Sequence, residues 1–309
     1  AQIYSGGYGM SLTDDVSKFM EMSVDTQFAN EFTLEKKEIF QKLLLEGHLL
    51  LSFRNSIDFG TRGRNISRPT SEYTTVPVDV LERAVVGDPA NAGIYRAWIN
   101  HINSGTAFPK ANVNKHFWKS DMTIHRCPTW MASVRMASDR VIGTESGTDN
   151  VKGYYLADGA LYTYVDGDEY TDVFPCWDWR KVPGVTCYQE DKAVHVMGWL
   201  EKQNKGSFVG NVNDGVIGLT SMDLVRDGLY ARKTWIFTPD YILCLGAGIR
   251  SDSSYQVNTS VEQAVLRDDL LYWNKGKWEA VKDLKFSCGD SQRFFHHQTG
   301  YILLEGEGR

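Results

Sequence analysis

One tyrosine, Tyr8, stands between glycines in the run SGGYGM near the front of the chain. A structural tyrosine belongs in a packed strand or helix, where its ring buries roughly 150–250 Å². Glycine on both sides calls instead for a backbone that turns sharply or lets another group come close, although turn chemistry alone also explains such a run. Farther on, RNSIDFGTRGRNISR sets Arg54, Arg62, Arg64 and Arg68 against the single acid Asp58. Guanidinium stays charged and presents a planar fork, so arginine suits bidentate capture of carboxylates and sulfates. Gly60, Gly63 and Pro69 describe a shaped loop in place of a charged helix face, with a solvated basic loop as the plainer alternative. The turn TESGTDN then offers Glu145, Asp149 and Asn150. A turn acid is usually just solvated, and Glu145 acquires a role only by orienting one of the arginines.

A phenol and several arginines suit one reaction. In an acidic polysaccharide the C5 proton of a uronic acid lies α to a carboxylate, and it is removable only if that carboxylate is neutralised so that the enolate-like dianion is tolerable. A tyrosine at the reference pKa of about 10 is a poor base at neutral pH, and nearby arginines favour the phenolate. A depression of roughly three units corresponds to about 4 kcal/mol. Once protonated, the same phenol can hand its proton to the departing O4, so one residue serves as base and acid for a β-elimination without water or metal.

Other chemistries lack an anchor. The seven histidines form no HExxH or HxH pattern, and there is no GxSxG, Walker loop or GxGxxG. Five cysteines without a CxxC pair indicate neither a zinc knuckle nor a disulfide scaffold, and buried, inert thiols are expected. A net charge of −6 argues against general nucleic-acid binding, while a local basic cleft could still take a polyanion. No apolar run is long enough for a membrane span. Trp177 and Trp179 in CWDWRKVPG lie two apart, so an extended segment would turn both rings one way, as a core pair or a sugar-stacking platform needs. The core is the preferred use for that pair. Trp199, before a glycine-containing turn, is the better platform candidate.

Two textures position these residues, and 309 residues suffice for two domains. Helical spacing marks Met10 to Thr26, the stretch from Thr33 with Thr33 as N-cap, VDVLERAVV and IYRAWINHINSG. Short polar loops between helices predict a bundle or toroid. After a candidate linker from Gly105 to Asn114, segments such as TWMASVRMAS, SFVGNV and ARKTWIFTPDYILCLGAGI are short, β-branched and aromatic, which predicts a sandwich of antiparallel sheets. NKGKW reads as a hairpin.

With Tyr8, the arginine loop, TESG and WDWRKVPG in this order, the sequence resembles the polysaccharide lyase family that includes chondroitin AC lyase, hyaluronate lyase and xanthan lyase (family 8 type). The likeness runs along nearly the whole chain, through QIYSGGYG, DFGTRGRNISRP, RMASDRVIGTESGTDNVKGYYLADGA, WDWRKVPGVT, FVGNVNDGVIG and CLGAGI. RGRxISR alone is moderately specific, and the ordered set is strongly so. The resemblance implies an α+β multidomain architecture: residues 1–108 as the C-terminal part of an α/α toroid, and 109–309 as a large antiparallel β-sandwich expected to be incomplete.

The same resemblance implies that Tyr8 is the catalytic tyrosine, Arg64 and Arg68 the active-site arginine pair, Glu145 the supporting acid, and Trp199 an aromatic lining the sugar cleft. Arg62 and Asn150 join Trp199 as expected substrate-binding residues, with Thr148 as the alternative to Asn150. The implied activity is β-elimination on chondroitin sulfate or hyaluronan by a secreted or periplasmic bacterial enzyme. Xanthan or another acidic polysaccharide is the runner-up substrate, and an inactive sugar-binding fragment is the competing reading. The family also uses a histidine and an asparagine upstream of the tyrosine. Only seven residues precede Tyr8 and none is His, so an upstream segment is expected to complete the toroid. Calcium occurs near the WDW segment in some members, but Arg180 stands there in this sequence, and no cofactor or metal is expected.

Overall fold

A computed structural model describes residues 3–73, 75–145, 149–198, 201–202, 204–282 and 293–304. Contacts divide the chain into two compact units, Ala1–Gln263 and Ala264–Arg309.

The first unit opens with helices. A π turn at Ser5–Gly9 runs directly into α1 (Met10–Ser23). Helix α2 (Leu34–Lys42) starts at the expected cap, where the Thr33 hydroxyl accepts from the Lys36 amide at 3.4 Å. It continues through a π turn at Leu43–His48 into α3 (Leu49–Leu51) and a small ladder of β1 (Ser52–Phe53) with β2 (Ser56–Ile57). Helices α4 (Val78–Gly87) and α5 (Ala92–Ser104) follow, the latter ended by Gly105 in the left-handed region at φ 61°. Met20 of α1, Val80, Leu81 and Ala84 of α4, and Tyr95 and Trp98 of α5 are buried together. Arg83 of α4 also ties α1, donating to Asp14 Oδ1 at 2.6 Å and Ser17 Oγ at 2.9 Å.

Helix gives way to strand between Ser104 and Val113, inside the first unit. Strands β3 (Val113–Phe117), β4 (Met122–Arg126), β5 (Met131–Arg135) and β6 (Ala160–Tyr164) form one antiparallel sheet in that order. The end of the candidate linker is therefore already strand. A short β7 (Thr186–Tyr188) precedes a second antiparallel sheet of β8 (Val209–Asn213), β9 (Gly218–Arg226), β10 (Leu229–Phe237) and β11 (Ile242–Ser251). The later β12 (Val257–Thr259) pairs with β7. Ala132, Val134 and Leu161 of the first sheet share one core with Met222, Leu224, Ala231, Trp235 and Phe237 of the second. The two sheets thus pack face to face as the alternation in β9 and β10 requires.

Both faces of β4 and β5 are buried. The face away from the second sheet packs on the segment between α3 and α4. There Asp58 Oδ2 accepts from Ser133 Oγ at 2.5 Å and Tyr164 Oη at 3.1 Å, while Tyr164 Oη accepts from the Phe59 amide at 2.7 Å. Arg126 donates to the Ser52 carbonyl and Arg135 to those of Gly60 and Gly143. The helices and the sandwich are therefore joined by a buried polar seam. Burial pushes the Asp58 carboxyl up to about 6 despite its hydrogen bonds.

In the second unit, β13 (Leu271–Asn274), β14 (Lys277–Ala280), β15 (Arg293–His296) and β16 (Thr299–Ile302) form an antiparallel sheet in the order β14-β13-β15-β16. NKGKW is the β13–β14 hairpin, with Lys275 and Gly276 at φ 45° and 92°.

The thiols depart from expectation. Cys127 and Cys187 are buried, but Cys176 and Cys244 are exposed, because the strand β11 that carries Cys244 is largely open to solvent. Cys288 lies outside the described residues.

Candidate active site

Tyr8 sits in a helical turn, not in a loose loop. It lies four positions after Tyr4, so the two rings share one side of the turn and meet edge to face with centroids 5.4 Å apart. Tyr8 is 68% exposed. Tyr4 is held by Asn65, whose Oδ1 accepts from Tyr4 Oη at 2.9 Å while its Nδ2 donates to the Gly6 carbonyl at 3.2 Å.

The glycines now have a specific cause. A Cβ on Gly7 would lie 2.4 Å from Tyr4 Cε2, and one on Gly63, already at φ 57°, 2.7 Å from Tyr4 Cδ2. The group that comes close to this backbone is thus the Tyr4 ring. On the other side, a Cβ on Gly9 would press on His48 Cε1 at 3.2 Å. That histidine is buried against Thr13 at 3.0 Å, and burial lowers it to about 4.

The arginine loop delivers Arg64 to the phenol. Arg64 Nη2 donates to Tyr8 Oη at 3.3 Å, and its Cζ lies 5.8 Å and 5.9 Å from the Tyr4 and Tyr8 ring centroids. Arg64 Nη1 pairs with Glu145, which is 6% exposed. The bond to Tyr8 and the charge of Glu145 hold the guanidinium proton more firmly than usual, against partial desolvation. Asp149 Oδ2 bridges the pair, 2.6 Å from Arg68 Nη2 and 3.5 Å from Arg64 Nε. Tyr8, Arg64, Arg68 and Glu145 are therefore neighbours across a sequence separation of more than a hundred residues.

Two expected substrate-binding residues lie elsewhere. Arg62 is 2% exposed, with its Cζ 4.8 Å from the Phe59 ring centroid and Nε 3.4 Å from the Ile57 carbonyl, so it shapes the loop from inside. Asn150 is fully buried and donates to the Glu145 carbonyl at 3.0 Å, bracing the backbone of Glu145 itself. Burial removes both from a sugar's reach. Trp199 and Thr148 lie outside the described residues. Trp177 and Trp179 are buried in an aromatic cluster with Phe59 and Tyr170.

Residues beside WDW do not fit a calcium ion. The buried Arg180 guanidinium already occupies the place of a cation there, donating to Tyr155 Oη at 2.7 Å and the Lys192 carbonyl at 2.9 Å and pairing with Glu190 at 3.1 Å.

Asp149, a turn acid by its sequence surroundings, takes the bridging position. Tyr4 and Asn65 are further members of the site: the four-position spacing of Tyr4 from Tyr8 is a signal for the first, and the sequence offers none for the second.

Residues 112–308 match the family model described as polysaccharide lyase family 8, super-sandwich domain. The chain belongs to polysaccharide lyase family 8. Within this lyase family it is 31% identical to the chondroitinase-AC of Pedobacter heparinus, over 99% of its own length and 44% of that protein. It is 24% identical to a hyaluronate lyase of Thermasporomyces composti, over 87% of this chain and 39% of the other. A chondroitinase AC lyase solved in oligosaccharide complexes superposes with a TM-score of 0.82 at 30% identity, covering 88% of this chain and 40% of that one. The family 8 chain thus spans less than half the length of these relatives.

Proposed function

We propose that this chain contributes the eliminating tyrosine of a polysaccharide lyase that cleaves a uronic-acid-containing glycosaminoglycan, chondroitin sulfate or hyaluronan. The single observation that carries the reading is the exposed Tyr8 phenol hydrogen-bonded to Arg64, itself anchored by buried Glu145. Chondroitinase-AC and hyaluronate lyase among the relatives supply the substrate class.

In this reading the Tyr8 phenolate takes the C5 proton of the uronate. The C5–H electron pair becomes the C4–C5 double bond, the C4–O4 bond breaks, and the Tyr8 phenol returns the proton to O4. The products are an unsaturated uronate and a sugar with a free 4-hydroxyl. Arg64 holds the phenolic oxygen through the proton's absence, because a donor with a permanent charge stabilises the anion formed there. Arg68 takes an acidic group of the substrate. Helices α1 to α5 belong to an α/α toroid whose upstream segment supplies the histidine and asparagine that neutralise the uronate.

The test is a continuous ultraviolet assay for the unsaturated uronate, using the protein at its natural length with chondroitin sulfate and with hyaluronan. Absorbance rises with one or both for the parent and stays flat for Tyr8→Phe. No rise with either polymer from a folded parent overturns the reading.

A further inference from the structure

Two carboxylates face the arginine pair, and burial gives them different fates. Glu145 is 7% exposed in its side chain, and its own carbonyl accepts a hydrogen bond from buried Asn150. Separating it from Arg64 would strand a desolvated charge, which is expensive. Asp149 and Arg68 are 31% and 54% exposed in their side chains, although their contact is short at 2.6 Å. Exposed pairs of this kind contribute only about 0–1 kcal/mol and are screened by salt. The first pair is permanent, and the second is exchangeable.

Position adds to this contrast. Asp149 Oδ2 lies between the two guanidinium groups, at the point where an oxygen of a bound anion would bridge them. The seat is one guanidinium away from the phenol, since Arg64 reaches Tyr8 with Nη2 and Asp149 with Nε. With Asp149 in the seat, the two carboxylates balance the two arginines. With Asp149 swung out, the three side chains that remain, Arg64, Arg68 and Glu145, leave one positive charge unbalanced.

We propose that Asp149 is an internal stand-in for the substrate: it occupies the Arg64–Arg68 anion seat in the free protein and is displaced by a carboxylate or sulfate of the incoming polysaccharide. This rests on the functional reading above and adds how the site chooses its ligand. A neutral sugar cannot displace Asp149, so the cluster stays closed to it. An acidic chain replaces one exposed ion pair by another while its remaining charges and sugar contacts hold it in place. Asp149 thereby weakens binding of every acidic chain and raises discrimination against uncharged ones.

The experiment measures binding of a sulfated chondroitin tetrasaccharide by titration calorimetry, in a Tyr8→Phe background to remove turnover, with and without Asp149→Asn. The account expects Asp149→Asn to tighten binding by about three- to fivefold at low ionic strength, the worth of one exposed pair. The gain disappears at high salt, and a desulfated, carboxyl-esterified tetrasaccharide, scarcely bound by the Tyr8→Phe protein, gains affinity in the double variant. Unchanged or weaker binding of the acidic chain by Asp149→Asn overturns the proposal, weaker binding making Asp149 a residue that aims Arg68. Tyr8→Phe retaining elimination would sink the functional reading instead. No binding by either variant overturns both.

Discussion

Asp58 and Arg62 stand at one end of a single loop, Arg64 and Arg68 at the other, and the two ends use the same residue types to opposite effect. At the inner end, Asp58 and Arg62 are buried and Asp58 is bonded to Tyr164 and Ser133, locking the helices onto β5 and β6. At the outer end, Arg64 and Arg68 meet Tyr8, Glu145 and Asp149 at the surface. Tyrosine, arginine and aspartate make a fastener where they are buried and an exposed cluster where the phenol is open. The rigid inner end matters to the outer one, because the loop that aims Arg64 is pinned a few residues earlier.

The comparison can be broken by exchanging lesions between its halves. Among the arginines the largest expected effect on rate is at Arg64: Arg64→Ala lowers the elimination rate per folded molecule by about 10²–10³, the usual loss on removing one charge-stabilising donor, and it also lowers the melting temperature because it strands the buried Glu145 carboxylate. Arg62→Ala costs stability alone, and its folded fraction keeps the specific rate. Parallel melting curves and rates per folded molecule check both.

Acid separates the halves next. His48 is held near 4 in the folded protein and titrates near 6.5 when unfolded. As pH falls through that window the unfolded chain takes a proton that the folded chain refuses, so stability declines, by about 3 kcal/mol over the full interval. Asp58 slopes the other way: its folded carboxyl keeps a proton up to about 6, so it loses stability as pH rises from near 4 to 6. Urea midpoints measured from pH 7 to 4 should fall less in His48→Asn than in the parent, and an equal fall removes His48 from the account.

Smaller effects come from the seam and the glycines. Asp58→Ala leaves the Ser133 and Tyr164 hydroxyls without their acceptor and costs about 2–3 kcal/mol by denaturant titration. Gly63→Ala combines a positive φ with a clash on Tyr4 and costs about 1–2 kcal/mol. Because Tyr4 braces Tyr8, Gly63→Ala also lowers the elimination rate, whereas Asp58→Ala does so only by unfolding.

The helices were readable from their amphipathic spacing and, at Thr33, from a cap, and so was the β13–β14 hairpin. Strand β4 was not, because MTIHR is buried on both faces with Thr123, His125 and Arg126 inside. Buried polar residues satisfied across sheets leave no alternation to read. In the site, residue types and order brought Tyr8, Arg64, Arg68 and Glu145 to notice. Burial was the part that stayed hidden, so Arg62 and Asn150 looked like ligands of a sugar when they are supports, and Asp149 looked like an idle turn acid. One-dimensional spacing carries residue chemistry well but does not say which end of a loop is wet.

The most direct test pairs two tyrosines that touch the same loop from opposite sides, Tyr8→Phe and Tyr164→Phe, each assayed for unsaturated uronate and for melting temperature in the natural-length protein. The account predicts that Tyr8→Phe loses about 10²–10⁴ of the elimination rate at unchanged stability, while Tyr164→Phe melts earlier and keeps its rate per folded molecule. Elimination at the parental rate by Tyr8→Phe would contradict it.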